Sequence, residues 1–143
     1  MTSQEKKEYL QTAFQLEKRI ETLLKEKSNL QELKARCCST TANYENDGSQ
    51  NGSHQNGTEN KFITYVDKLT EYEAELDKLV EKLIDTKRHI KQIITLVPKY
   101  EQREVLMKRY INYDKWEQIA VDMRYDIRHI YRLHGEALEN VKI

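Results

Sequence analysis

At 143 residues, 38% hydrophobic and 34% charged, the chain is too poor in apolar side chains for a large globular core but has enough to line seams between helices. Four Gly, one Pro and two Phe leave little turn chemistry and no alternating aromatic runs, which argues against sheets and predicts an all-α fold. Lys plus Arg and Asp plus Glu both number 24 and are mixed in every segment, so binding to nucleic acid through a nonspecific polycationic tail is excluded.

The N-terminus, MTSQEKKEYL, has no apolar stretch of the signal-peptide kind, and no run approaches bilayer length, so a cytoplasmic protein without a membrane partner is expected. Thr2 followed by Glu5 predicts a capping box. From there Tyr9, Ala13, Leu16, Ile20, Leu23, Lys27, Leu30, Lys34 and Cys37 step by four and three, the mark of a heptad seam. Lys27 and Lys34 interrupt it. Cys37 and Cys38 are adjacent, without a partner elsewhere or zinc-ligand spacing, and read as reduced thiols; no metal and no cofactor is expected.

Residues 39–60, STTANYENDGSQNGSHQNGTEN, are polar, Gly-punctuated and aperiodic, and predict a flexible linker. The sequons at Asn51 and Asn56 carry no weight in a cytosolic chain. A second seam follows: Phe62, Val66, Leu69, Glu73, Leu76, Val80, Leu83, Lys87, Ile90, Ile94 and Val97, broken only by Glu73 and Lys87. Helices of about 35 residues are roughly 50 Å long. A linker of about 22 residues typically spans roughly 25 Å, enough for adjacent helices running in opposite directions but not for a parallel return. Residues 1–97 therefore predict a long antiparallel hairpin, or coiled coil, whose seams can also pair between molecules to give a homo-oligomer. Pro98 ends the second helix or bends it sharply.

Residues 98–143 predict a small C-terminal domain of three short helices. Tyr100, Val105, Leu106 and Tyr110 stripe the first. Asp114, with Glu117 three residues on, is the candidate N-cap of the second, whose inner face is Trp116, Ile119, Ala120 and Met123. After a break at Arg124, Tyr125 and Asp126, Asp126 can cap a third helix over 127–140 with Ile130, Leu133, Ala137 and Leu138 inward. This is the spacing of a helix-turn-helix, in which two helices cross closely and share a small core around Ala120. The outer face of the third helix holds Arg128, Tyr131 and Arg132, flanked by Ile127 and His129, with no carboxylate between Asp126 and Glu136. Arg can read guanine through a bidentate contact, while Tyr131 and His129 can reach phosphate or a thymine methyl. These five residues are the candidate contacts to double-stranded DNA.

From about Tyr100 to Val141 the chain resembles the fourth region of sigma-70-type factors, including Glu-Gln-Ile-Ala at residues 117–120, Ile130, and Ala137 with Leu138. The whole chain resembles small regulators of phages and prophages, in the manner of the ArpU and RinA late-gene regulators. Arg103, Leu106, Arg109, Tyr110, Trp116, Arg128, Tyr131, Arg132, His134 and Gly135 are among the positions that fill their tail pattern. The resemblance implies a transcriptional regulator in which Ile127, Arg128, Tyr131 and Arg132 contact bases and phosphates. Two departures stand out: Arg124 occupies a turn position where Gly often provides positive φ, and Ile127 replaces a usual polar or basic residue.

A complete sigma factor needs further segments, so the expected function is sequence-specific DNA binding, as in a late-gene activator, with the hairpin serving self-association or contact with host RNA polymerase. A small-terminase-like DNA-packaging subunit and a coiled-coil structural protein are the alternatives. His54, His89, His129 and His134 have no nucleophile, carboxylate or phosphate loop placed around them by an identifiable motif, so an enzyme is not expected. His134 should pack or hydrogen-bond against the preceding helix.

Overall fold

In a computed structural model, which describes residues 1–44 and 53–143, and side chains within 1–36 and 60–143, the chain is all-α. The helices are α1 (Ser3–Leu10), α2 (Thr12–Tyr44), α3 (Ser53–Thr95), α4 (Tyr100–Tyr110), α5 (Trp116–Met123) and α6 (Ile127–Asn140). Cys37, Cys38, both sequons and the middle of the expected linker fall outside the described residues or side chains. The linker's two ends are helical, up to Tyr44 and from Ser53, which corrects the expected boundaries. Once a long helix is nucleated, each added residue gains one backbone hydrogen bond, and this outweighs the modest propensity of Ser, Thr and Asn. Among the described residues no helix is long and apolar enough to cross a membrane.

The capping box forms as expected: Thr2 Oγ1 accepts from the Glu5 amide at 3.2 Å and Glu5 Oε2 from the Thr2 amide at 2.6 Å. The helix it starts is interrupted at Gln11, where Thr12 Oγ1 donates to the Tyr9 carbonyl at 2.7 Å and diverts it from the regular ladder. α3 closes at Thr95, three residues before Pro98, with the Val97 amide turning back to the Ile94 carbonyl.

Two compact units divide the described chain: Met1–Lys18 together with Glu81–Ile143, and Arg19–Val80. The first unit contains two apolar clusters. Leu10, Ala13, Ile90, Ile94 and Val97 meet Leu106, Tyr110, Ala137, Leu138 and Val141 in one; Val105, Ile119, Ala120, Ile130 and Leu133 form the other. α4 contributes to both, with Leu106 and Val105 pointing to different sides. Gln102, also buried on α4, accepts from Asn140 Nδ2 at 2.8 Å and reaches Glu136 at 3.4 Å, so its amide is partnered against α6. Lys6 Nζ on α1 donates to the Leu138 carbonyl at 2.9 Å, placing a cation at the C-terminal end of α6 where the helix dipole favours it.

In the second unit Ile20, Leu23 and Leu76 are buried, whereas Leu24, Leu33, Phe62, Ile63, Val66 and Val80 remain exposed. Its seam breakers find partners. Lys27 pairs with Glu73 at 3.3 Å, and the Lys34 ammonium lies over the Phe62 ring at 5.0 Å. Arg19 and Glu75 pair at 3.0 Å. In the first unit, Lys87 sits 3.4 Å from Glu17 and over the Tyr113 ring.

Candidate functional site

The local fold around α6 begins with the turn that leads into α5. Tyr113 has φ of 60°, the Asp114 amide donates back to the Lys108 carbonyl at 2.9 Å, and Arg109 Nη1 donates to the Asp114 carbonyl at 3.0 Å. These bonds hold Asp114 against α4, so α5 begins one residue later with Lys115 at the N-cap and no side-chain cap. The expected Asp114–Glu117 capping box is thereby corrected. Tyr100, assigned to the inner stripe of α4, is also corrected: it is 65% exposed and its hydroxyl donates to Glu104 at the surface.

α5 ends where the sequence predicted, with Arg124 in the left-handed region at φ 58° and ψ 39°. Its position in the turn requires positive φ, and the chain meets that requirement without Gly. Asp126 then caps α6 by accepting from the Ile127 amide at 3.0 Å. The inner face of α6 is as expected, with Ile130, Leu133, Ala137 and Leu138 buried.

His134 is buried as well. Its Nε2 lies 2.7 Å from the Tyr110 hydroxyl, and Trp116 meets it edge-on at 4.8 Å. Burial, then the nearby Lys7 and Arg109 cations, push the imidazole down to about 4, so at neutral pH the ring is uncharged. Burial also pushes the Tyr110 phenol up to about 12, with Arg109 opposing. Above this layer the Arg109 guanidinium stacks on Trp116 at 4.6 Å, and Tyr131 packs edge-on against the same indole at 5.2 Å. One indole thus braces both the underside and the outer flank of α6.

The five expected contact residues occupy distinct environments. Arg128 and Arg132 are exposed, and among the described residues no carboxylate lies within ion-pairing distance of either. Tyr131 is half-exposed, with one edge on Trp116. Ile127 is half-buried against the cluster of Val105, Ile119 and Ile130, so much of its surface anchors the start of α6. His129 is half-buried between the Tyr125 ring, 4.4 Å away between centroids, and Arg132, whose Nη2 lies 2.7 Å from His129 Nδ1.

Tyr125 in turn donates to Glu101 of α4 at 2.6 Å, and that carboxylate, ahead of burial, raises the phenol above its ordinary range. Sequence reading missed Glu101 and Tyr125 as neighbours of this face; Tyr125 four residues before His129, and His129 three before Arg132, were the available signals. Among the described residues no group of three or more His, Cys, Asp or Glu side chains is placed to hold a metal. A scan against protein-family models and searches of curated proteins and of solved structures return no match to this chain.

Proposed function

We propose that α5 and α6 act as a helix-turn-helix that binds double-stranded DNA sequence-specifically, with α6 in the major groove, and that the protein is a transcriptional regulator of the phage late-gene kind. The observation that carries this reading is the asymmetry of α6. Its inner side is fixed by Ile130, Leu133, Ala137 and Leu138, while Arg128 and Arg132 emerge on the outside with no carboxylate among the described residues to neutralise them. Two guanidiniums whose charge meets no carboxylate among the described residues, in a chain otherwise rich in acids, suit an external polyanion. Their spacing of four residues suits one groove face. Ile127 and Tyr131 supply apolar contact beside them, and His129 completes the face.

The long helices serve this function as an antiparallel hairpin. Lys27 with Glu73 and Lys34 with Phe62 support that orientation, because partner numbers on α3 fall as those on α2 rise. A hairpin of this kind can join two copies and set two recognition helices one DNA turn apart, roughly 34 Å, or it can touch RNA polymerase. The chain acts in the cytoplasm on this reading and needs neither metal nor catalytic group.

Selection of bound duplexes from a random pool, followed by footprinting, tests the proposal. A discrete selected site is the expected result, with Arg128→Ala or Arg132→Ala each lowering affinity for it about fivefold to a hundredfold, the range of one lost bidentate contact, at unchanged helicity. Binding without preference, or full affinity in both variants, overturns it.

A further inference from the structure

The environment of His129 differs from that of the arginines beside it, and the difference assigns it another role. An exposed Arg side chain has many rotamers, and freezing it at an interface costs affinity that a pre-positioned side chain retains. Arg132 is not free to sample them all. A guanidinium can only donate, so the 2.7 Å approach of its Nη2 to His129 Nδ1 makes that ring nitrogen the acceptor.

The imidazole is itself held. Tyr125 packs against it at 4.4 Å with the rings inclined by 58°, and the tyrosine hydroxyl is tied to Glu101 at 2.6 Å. The contacts run from α4, through the turn before α6, to a side chain on the outer face of α6. One guanidinium N–H is spent on the histidine, leaving the rest of the planar fork for an external acceptor pair.

We propose that His129 is a positioning residue for Arg132: it aims the guanidinium at the bases, Tyr125 and Glu101 hold its ring, and it makes no base contact of its own. This rests on the DNA-binding reading above. It adds that the neutral ring carries its proton on Nε2 and that sequence preference, more than overall affinity, depends on residue 129.

The test uses the full-length chain and two duplexes, the selected site and a scrambled one of equal length. Asn places its amide oxygen close to where His129 carries Nδ1, so His129→Asn keeps an acceptor for Arg132, whereas His129→Leu removes it. His129→Leu is expected to reduce the ratio of specific to scrambled affinity roughly fivefold to tenfold, part of the discrimination one bidentate arginine provides. His129→Asn should recover most of that ratio, and scrambled binding should stay within about twofold in both. In an Arg132→Ala background, His129→Leu should change nothing further.

An undiminished effect in that background would make His129 a direct contact and overturn the proposal, as would an Asn variant no better than Leu. Long-range proton–nitrogen NMR of the DNA-free protein reads the link independently. An Nε2-protonated ring whose Nδ1 signal moves in Arg132→Ala is expected; a proton on Nδ1 overturns the positioning role even if specific DNA binding stands. If no duplex is selected, the DNA reading itself fails, and the same spectra still report whether the histidine holds the arginine.

Discussion

The unit Met1–Lys18 with Glu81–Ile143 and the unit Arg19–Val80 are both helical and both rich in Lys and Glu, yet they bury side chains in different ways. In the first, segments far apart in sequence converge, so that Leu10, Ile90, Leu106 and Leu138 are almost fully removed from solvent in one cluster. In the second, a two-helix seam covers Ile20, Leu23 and Leu76 while Val66 and Val80, which occupy the same heptad stripe, stay exposed. Two helices offer each other one face only. A third and fourth layer are what turn a seam into a core.

The largest test of that contrast is truncation of one apolar side chain in each unit. Ile130→Ala in the first should cost about 3 to 5 kcal/mol, because the surrounding Val105, Ile119 and Leu133 cannot close the cavity. Leu76→Ala should cost about 2 kcal/mol or less, since a seam open to solvent loses less contact and can collapse. Urea denaturation of both variants checks the order; equal losses would mean the seam is packed as tightly as the core.

Acid sharpens the same comparison. His134 is buried in the first unit with its imidazole held down to about 4, against an ordinary value of 6.5. In this interval the unfolded chain binds a proton that the folded chain does not. The stability contributed by the neutral ring is therefore complete above about pH 6.5 and is lost as pH falls toward 4, by roughly 3 kcal/mol in all. His134→Gln should flatten that part of the pH profile, measured by urea midpoints between pH 7 and 4. A slope unchanged in the variant would place the acid sensitivity elsewhere.

Much of the local architecture around α5 and α6 is legible in the sequence, whereas the division into these two units is not. The 3.6-residue stripes identified the inner faces of α5 and α6, and the Asp126 cap and the break at residues 124–126 could be placed because local chemistry dictates them. Adjacent sequence cannot show that α1 packs with α4 and α6, or that the Lys6 ammonium caps α6 from more than a hundred residues away. Asp114 failed as a cap for a related reason: Arg109 and Lys108 claim its main chain across the turn, an interaction with no period to betray it. At the candidate site the arginines were evident from charge pattern. The partner of His129 was not, since i,i+3 neighbours are common and only geometry shows which of them bond.

The seam breakers Lys27 and Glu73 give a third, smaller test. Each looks like a defect in its own heptad, but they lie 3.3 Å apart and partly cancel each other's cost. Replacing both, Lys27→Leu with Glu73→Leu, should stabilise the second unit by about 1 to 2 kcal/mol, because an apolar pair at seam positions outperforms a half-solvated ion pair. Lys27→Leu alone should gain less. Thermal melts of the three variants check this. A double variant that is less stable than the parent would show that the pair has a stabilising role which leucines cannot replace.

The smallest expected effect concerns the backbone at Arg124. A residue other than Gly at φ 58° and ψ 39° carries a cost of roughly 1 kcal/mol, because Cβ crowds the following carbonyl oxygen. Arg124→Gly removes the clash but also gives the unfolded chain more freedom, so the net gain should be only about 0.5 kcal/mol. Arg124→Val, with a branched Cβ in the same conformation, should lose more than that gain. The sign of the pair matters more than its size. If Gly fails to stabilise, the guanidinium must contribute more to the folded turn than its exposed setting suggests; if Val is tolerated, the turn must relax out of the left-handed region, and the angle at which α6 meets α5 would change with it.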